Sequence, residues 1–195
     1  MPYRQTLNRT VPYWPTDQWE DLRIVPGAFV FAGASDPALN NWQPGGAGAT
    51  FKVYVFATAD EVFFTCQIPH AWKEGTELRP HIHWTPRDRG ATEADKTVAW
   101  KVDYSIASTD GVFLASSTVD LTDTCSGVDD IHEFTVSGSI PGTGLAVSAI
   151  LMGRIYRDAG DTWVGAIAAQ LPALLEFDIH YLADSLGSLR ELYKV

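Results

Sequence analysis

The sequence predicts an all-β protein: an antiparallel β-sandwich of jelly-roll type with an extended N-terminal arm. From Ala28 onward, short runs of β-branched and aromatic residues alternate with clusters of Gly, Pro, Asn, Asp and Ser, a pattern typical of antiparallel folds. No long segment has the apolar period of an α-helix. Because each half-apolar sheet must cover its apolar face with another, two packed sheets are the economical arrangement.

The composition is that of one globular domain. The chain has 195 residues, of which 46% are hydrophobic. A chain of this length can bury about 70% of its unfolded surface without help from disulfides or metals. We therefore predict an arm over residues 1–26 and a single sandwich over residues 27–195 that ends in a short C-terminal tail. The sequence predicts no cofactor.

The charge balance and the length of the apolar runs argue against two classes of partner. There are 14 basic and 24 acidic side chains, which give a formal net charge of −10. The basic residues are scattered, so they form no stripe on which a nucleic-acid backbone could release counterions. No apolar run approaches the roughly 18 residues needed to cross a bilayer. We expect a soluble protein with neither a nucleic-acid partner nor a membrane partner.

Turn signals divide the sandwich into nine predicted strands. They lie near residues 28–33, 50–57, 61–68, 79–85, 97–107, 112–120, 131–136, 145–157 and 173–182. In the fifth strand, apolar residues alternate with mostly polar ones, as expected for a strand with one buried face. The apolar face carries Val98, Trp100, Val102, Tyr104 and Ile106.

Two turn signals predict how neighbouring strands connect. Asp110-Gly111 supplies the positive φ values of a tight turn and predicts a hairpin between the fifth and sixth strands. Ala59-Asp60 links the second and third strands in the same way. Short helices are predicted only around residues 16–22 and 185–193.

The arm over residues 1–26 combines four prolines with four large aromatic side chains and has no clear strand period. Prolines block ladder formation, yet this many aromatic residues require a covering surface. The aromatic residues are Tyr3, Tyr13, Trp14 and Trp19. The arm either folds back on its own domain or reaches a neighbouring subunit.

Two histidines of the fourth strand, His81 and His83, project from the same face and could share a metal ion. Together with Gly75, their spacing is similar to the first half of the cupin signature, and cupins are jelly-roll metalloproteins. The glutamate that a cupin places four or five residues later is missing, and no second cupin motif occurs around residues 138–144. Since metal sites need three or four ligands, the sequence predicts no metal, with His81, His83 and His180 as the remaining candidates.

The last predicted strand also has one apolar face and one polar face. Leu175, Phe177, Ile179 and Tyr181 point one way, whereas Glu176, Asp178 and His180 point the other. If this strand and the fourth share a sheet, their polar faces lie on the same side of that sheet. Asp103 lies on the polar face of the fifth strand in the same way. We expect a hydrogen-bonded layer of His81, His83, Asp178 and His180, at solvent or against a copy of itself across a symmetry axis. Such a layer could make assembly sensitive to pH.

The sequence carries none of the common enzyme signatures. There is no G-x-S-x-G elbow, phosphate-binding loop, H-E-x-x-H or C-x-x-C motif, so no enzymatic activity is predicted. His70 and His132 stand alone and are assigned no role. Cys66 is in phase with apolar neighbours and is expected to be buried, whereas Cys125 falls in a polar loop. A bridge between the two cysteines stays open.

Three segments resemble virion proteins of tailed bacteriophages, in particular the jelly-roll decoration or cement proteins of the outer capsid surface. The segments are Ile68-Pro-His-Ala-Trp-Lys-Glu-Gly-Thr76, Arg79-Pro-His-Ile-His-Trp84 and the run from Phe177 to Arg190, which contains Asp-Ile-His-Tyr and Gly-Ser. The resemblance covers roughly the central and C-terminal two-thirds of the chain.

This resemblance implies a structural protein of the virion, made in the host cytoplasm, that stabilises the capsid lattice. The implied partners are copies of the chain itself, in a homotrimer, and the major capsid protein. The residues expected at the interfaces are Tyr3, Tyr13, Trp14, Trp19, His81, His83, Asp178 and His180.

Two other functions stay open at this point. One is a cupin-like metal-binding enzyme. The other is a carbohydrate- or receptor-binding module of a head or tail fibre, which would use tryptophans as stacking platforms. The tryptophans considered for that role are Trp42, Trp72 and Trp163.

Overall fold

The computed structural model describes residues 17–87, 94–136, 138–165 and 167–188. Apart from two short 3-10 turns at Pro26–Ala28 and Pro44–Gly46, the regular structure of these residues is entirely β. In chain order the strands are β1 (Gln18–Ile24), β2 (Ala38–Trp42), β3 (Phe51–Val55), β4 (Glu61–Gln67), β5 (Leu78–Thr85), β6 (Thr97–Val98), β7 (Trp100–Ala107), β8 (Ser117–Asp120), β9 (Asp123–Thr124), β10 (Glu133–Phe134), β11 (Ile150–Arg157) and β12 (Ala173–Ala183). Among the described residues, no helix is long and apolar enough to span a membrane.

The strands form two main antiparallel sheets. The first sheet has the order β10-β5-β12-β3-β2, with β1 also paired to β12, and the second has the order β4-β11-β7-β8. The chain therefore alternates between these two sheets from β3 to β5 and again from β10 to β12, while β6 and β9 pair with each other in a separate two-stranded sheet. Strands β3, β12, β5 and β10 face β4, β11, β7 and β8, which is the strand arrangement of a jelly roll. The predicted fold class is confirmed.

The core lies between the two sheets and is rich in aromatic residues. Trp72, Trp84 and Trp100 are completely buried. Phe56 meets the Trp100 ring edge-on at 5.1 Å between centroids, and Phe64 packs on Phe177 at 4.8 Å. Since large aromatic side chains bury the most apolar area per residue, they account for much of the stability of the sandwich.

The helix predicted around residues 16–22 is wrong, because these residues lead into strand β1. β1 pairs with β12 along its whole length, from Gln18 opposite Ala183 to Ile24 opposite Phe177. Ile24 is buried and Leu22 packs against the core, so the inward face of β1 is apolar only at its C-terminal end. The last part of the predicted arm is thus an element of the first sheet. Tyr3, Tyr13 and Trp14 lie outside the described residues.

Four predicted strands are much shorter in the structure than in the sequence pattern. In the 28–33 segment only Val30 pairs, through an isolated bridge to Phe63. β8 begins at Ser117, so residues 112–116 form a loop, and β11 begins only at Ile150. Of the predicted strand 131–136, only Glu133–Phe134 forms a strand, β10. The apolar residues in the remaining parts of these segments fit the sequence pattern of a strand, but no neighbouring strand pairs with them.

The two predicted hairpins have different outcomes. β7 and β8 pair antiparallel, as predicted, with a turn in which the Gly111 N–H donates to Ser108 O at 2.8 Å. The Ala59-Asp60 turn does not make a hairpin, because β3 belongs to the first sheet and β4 to the second. Asp60 Oδ2 accepts the Ala57 N–H at 2.7 Å and closes this turn as the chain crosses between sheets.

Local irregularities move several side chains from their predicted positions. The pairing register of β12 shifts between Leu174 and Glu176, so Leu174 joins Phe177 in the core and Leu175 packs outside it. Cys125 lies in a loop, as predicted, but is buried against the core, whereas Cys66, expected to be buried, is only partly buried. Cys66 and Cys125 form no disulfide, and burial raises the pKa of the Cys66 thiol to about 12.

The helix predicted near residues 185–193 is not formed where the structure describes it. Residues 184–187 are bends, with Ser185 Oγ donating to Gly187 O at 2.8 Å. Residues 189–195 lie outside the described part of the chain.

Candidate functional site

The outer face of the first sheet carries the histidines and carboxylates that the sequence analysis singled out. On β5, Leu78, Ile82 and Trp84 point into the core, so His81 and His83 point outward. On β12, Phe177 and Ile179 point inward, so Asp178 and His180 point outward. β5 and β12 are neighbours in the first sheet, and the predicted coincidence of their polar faces is confirmed. Asp103 is the exception, because β7 lies in the second sheet.

The strand register makes Asp178 the centre of this group. Asp178 lies opposite His81 on β5 and opposite Arg23 on β1. The same register places Asp21 of β1 opposite His180. The site therefore draws on three adjacent strands, and β1 supplies two of its charged side chains.

Asp178 is a buried carboxylate, and only one of its two oxygens accepts a hydrogen bond within the described part of the chain. His83 Nε2 donates to Asp178 Oδ2 at 3.1 Å, and His180 Nε2 lies 3.6 Å from the same oxygen. The Asp178 side chain is only 6% exposed. The other oxygen, Oδ1, is buried and has no hydrogen-bond partner among the described residues.

A chain of hydrogen bonds runs outward from Asp178 through two histidines. His83 Nδ1 lies 2.7 Å from His132 Nε2, so one of these two nitrogens donates and the other accepts. The hydrogen bond to Asp178 raises the pKa of His83, although burial opposes the shift. His132 was assigned no role from the sequence, and no local motif marks it, since it precedes the two-residue strand β10.

His81 belongs to the same face but has a different environment. Its Nδ1 donates to the backbone carbonyl of Thr135, and its ring lies on that of His180 with 4.1 Å between centroids. Burial lowers the pKa of His81. Because the Thr135 hydroxyl also accepts the Ile82 N–H at 3.0 Å, this contact joins β5 to the end of β10.

Ion pairs and aromatic side chains border the histidine group. Arg23 donates from Nη2 to Glu176 Oε2 at 2.7 Å and forms a second bond through Nε. The Arg79 guanidinium lies 4.8 Å from the centre of the Trp19 ring. Trp19 and Phe134 are 49% and 48% exposed. A depression of about 360 Å³ lies on this face, and its lining includes Asp21, Arg23, His83, His132, Glu176 and Asp178.

The His81–His83 pair does not form the shared site that its spacing suggested. His81 Nδ1 is engaged with Thr135, whereas His83 uses both ring nitrogens for Asp178 and His132. Both residues face out of the sandwich, away from the interior where a cupin holds its metal. In the part of the chain that the structure describes, the group with metal-ligand spacing is instead Asp21, Asp178 and His180, whose ligand atoms lie within 4.8 Å of one another.

The tryptophans considered as carbohydrate platforms are not available for stacking. Trp72 and Trp163 are buried, which makes that interpretation wrong for both. Trp42 is half-buried, and its Nε1 donates to Asp130 Oδ1 at 2.6 Å. Among the described residues, the exposed tryptophan on a sheet face is Trp19, which the sequence assigned to the arm.

Two of the three segments that carry the phage-protein resemblance meet in one structural junction. Trp72 bridges to Ala183, the Lys73 N–H donates to Leu182 O at 2.7 Å, and the Asp184 N–H donates to Ala71 O at 3.2 Å. His70 contacts the hydroxyls of Ser148 and Ser188 at 2.6 and 2.5 Å. These contacts connect the end of β12 to the turn before β5, so the residues that make them have a structural role.

A second, separate depression lies on the second sheet. It has a volume of about 630 Å³, and its lining includes Phe63, Tyr104, Met152, Arg154 and Asp103. Arg154 donates to Asp103 at 2.6 Å and to Glu61 at 2.7 Å.

Comparisons with known proteins complete this description. No family model and no curated protein matches the chain. Solved structures that resemble it include that of infectious bursal disease virus, Gx strain, at 10% identity over 87% of this chain and 33% of that chain, with a TM-score of 0.38. Another is TmCBM61 in complex with β-1,4-galactotriose, at 13% identity over 86% of this chain and 88% of that chain, with a TM-score of 0.32.

The chain thus spans about one third of the viral chain that it resembles. At TM-scores this low, neither likeness supports a conclusion about function. The fold assignment depends on the strand order of the structure itself.

Proposed function

We propose that the protein is a structural virion protein: a homotrimeric decoration (cement) protein on the outer surface of a phage capsid, with no enzymatic activity. The observation that carries the proposal is the ordered outer face of the first sheet. Four strands contribute to it, and its histidines and carboxylates are bonded to one another rather than left to solvent. The exposed rim of this face, with the Arg23–Glu176 and Arg79–Glu77 pairs, adds little to the stability of a single chain, because exposed polar pairs contribute little. A role at an interface accounts for its order.

The chemistry of this face suits contact with further copies of the chain. Trp19 and Phe134 expose large aromatic areas beside it, and aromatic residues are enriched in interfaces. Charges of both signs lie close together, as in the Arg23–Glu176 and Arg79–Glu77 pairs. A surface that carries both signs can meet a rotated copy of itself without net repulsion.

A different part of the molecule suits attachment to the capsid. The loop between β7 and β8 exposes three consecutive apolar side chains, Val112, Phe113 and Leu114. An exposed apolar cluster of this kind commonly marks an interaction site. We propose that this loop, together with the aromatic residues Tyr3, Tyr13 and Trp14, contacts the major capsid protein. The net charge of −10 disfavours binding to packaged DNA.

Cosedimentation with phage heads tests this proposal. Heads assembled from the major capsid protein encoded in the same genome are mixed with the full chain and pelleted. The wild-type chain is expected to pellet with the heads at a saturable ratio, and Leu114→Asp is expected to pellet poorly. Leu39→Asp is the matched control, since Leu39 is also an exposed leucine but lies on β2 of the first sheet. Failure of the wild-type chain to bind heads contradicts the virion role.

The depression on the second sheet supports a second candidate, a carbohydrate-binding role. Tyr104 and Phe63 offer aromatic surface beside Arg154 and Asp103, a combination of apolar and polar groups that suits a sugar ring. A glycan array tests this candidate. Binding that is lost in Arg154→Ala but retained in Trp19→Ala favours it over the capsid role.

A further inference from the structure

We propose that Asp21, Asp178 and His180 bind one divalent transition-metal ion, with zinc as the best match to their donor atoms. This inference does not depend on the proposed virion role, because it concerns a site contained within a single chain.

The spacing of the three side chains fits a small tetrahedral ion. His180 Nε2 lies 3.0 Å from Asp21 Oδ1 and 3.6 Å from Asp178 Oδ2. Zinc bound at about 2.0–2.2 Å in tetrahedral geometry holds its ligand atoms about 3.3–3.6 Å apart. The ligand atoms of all three side chains lie within 4.8 Å of one another, so side-chain rotation can bring them around the ion.

A second, independent observation concerns the Asp178 carboxylate itself. Asp178 Oδ1 is buried and accepts no hydrogen bond from any described residue. A buried carboxylate oxygen without a donor is unfavourable, because folding has removed its water without replacing it. A cation held by the Asp178 carboxylate would supply the missing interaction.

Neighbouring side chains hold the ligands in place. His83 donates to Asp178 Oδ2 and is itself bonded to His132, and outer hydrogen bonds of this kind orient metal-binding carboxylates. The His180 ring is packed on that of His81. Arg23 is the nearby cation, and its charge is balanced by two hydrogen bonds to Glu176.

The donor set also argues for a particular class of ion. One imidazole and two carboxylates match zinc and related first-row ions, whereas calcium prefers six to eight oxygen ligands. The adjoining depression, which Asp21 and Asp178 help to line, leaves room for water as a fourth ligand. Three protein ligands with one open position is an arrangement typical of zinc sites that bind an exchangeable ligand.

Calorimetric titration of the untagged, chelator-treated full chain with zinc chloride tests the proposal. We expect one zinc ion per chain, a rise in the unfolding temperature with zinc, and no comparable response to calcium chloride. Asp21→Asn and His180→Ala are each expected to weaken zinc binding at least tenfold. Asp21 is 51% exposed, so Asp21→Asn tests the ligand without disturbing the core.

Two control variants define the ligand set. Asp158→Asn removes a partly exposed carboxylate that is paired with Lys101, and His70→Ala removes a histidine that lies outside the proposed site, against Ser148 and Ser188. Both are expected to keep zinc affinity within about twofold of the wild-type value. Absence of zinc binding, binding that survives in Asp21→Asn and His180→Ala, or equal loss in Asp158→Asn or His70→Ala would each overturn the proposal.

Discussion

The carboxylate of Asp178 accepts a hydrogen bond from His83 Nε2 at 3.1 Å, although 95 positions separate the two residues in the chain. The contact is diagonal, since Asp178 lies opposite His81 and His83 lies opposite Glu176. It connects the buried centre of the outer face to its exposed rim at His132. Several properties of the protein depend on this contact and on the strands that form it.

Replacing His83 by alanine is expected to destabilise the protein by about 1–3 kcal/mol, because it removes the hydrogen bond to the buried Asp178 carboxylate. His132→Ala removes only the outer contact of His83 and is expected to cost less. Urea unfolding measures both free energies. Equal stability of His83→Ala and the wild-type chain would show that the Asp178–His83 bond contributes nothing to stability.

The double variant His81→Ala, His83→Ala is expected to keep the native strand content while it loses stability. Both side chains lie on the outer face, so the core residues of β5 are unchanged. Circular dichroism of the variant before and during thermal unfolding checks this. A loss of cooperative unfolding at room temperature would mean that the histidine layer is required for the fold itself.

Two acidic residues near β8 and β9 are expected to respond to pH in opposite directions. Burial raises the pKa of Asp123, so its charged form is disfavoured in the folded state and stability falls as pH rises through this pKa. Hydrogen bonds from Thr122 lower the pKa of Asp120, so its contribution is present above the unfolded pKa and is lost in acid.

The amide variant of Asp120 tests the second of these effects. At pH 7, Asp120→Asn is expected to be less stable than the wild-type chain, because the amide keeps the oxygen that accepts from Thr122 but loses the charge. The difference is expected to shrink as the pH falls below about 4. Unfolding midpoints in urea at pH 7 and pH 3.5 provide the comparison. Equal stability of Asp120→Asn and the wild-type chain at pH 7 would contradict the assignment for Asp120.

The thiol of Cys66 is expected to resist alkylation in the folded protein. With its pKa raised to about 12, only about one molecule in ten thousand carries the reactive thiolate at pH 8. Mass spectrometry after iodoacetamide treatment at pH 8 should show modification of Cys66 at least a hundredfold slower in buffer than in guanidinium. Similar rates in the two conditions would mean that Cys66 is accessible in the folded state.

Truncation is expected to show that β1 is an integral part of the first sheet. Removing residues 1–22 deletes most of β1 and leaves the second half of β12 unpaired on the side that β1 occupies. Compared with removal of residues 1–16, this deletion is expected to lower the free energy of unfolding by at least about 1.5 kcal/mol, the burial of one leucine-sized side chain. Urea unfolding of the two truncated chains gives the difference, and equal values would contradict it.

The sequence predicted strands correctly where apolar and polar residues alternate strongly, both along the strand and along the strand that pairs with it. β5 and β12 have long runs in which one face is apolar, so both strands and the coincidence of their polar faces could be predicted. β1 could not be recognised, because only Leu22 and Ile24 mark its inward face and Trp19 lies on the outward one. An edge strand needs few buried residues, and its pattern is correspondingly weak.

The composition of the site could be predicted only in part, for the same reason. His81, His83, Asp178 and His180 stand on strands with a clear pattern. Asp21 and His132 join them through the pairing of β1 with β12 and of β10 with β5, and local sequence does not determine such pairing. The burial of Cys125 was missed because tertiary contacts, not local polarity, decide burial in a loop.

The central claim is that the outer face of the first sheet joins copies of the chain into a trimer. Light scattering on the protein at micromolar concentration and pH 7 tests it most directly. The wild-type chain and Met152→Ala are predicted to have three times the 21.4 kDa mass of the chain, and Trp19→Ala, Phe134→Ala is predicted to be monomeric. A wild-type mass of one chain, or a trimer unaffected by the double substitution, would contradict it.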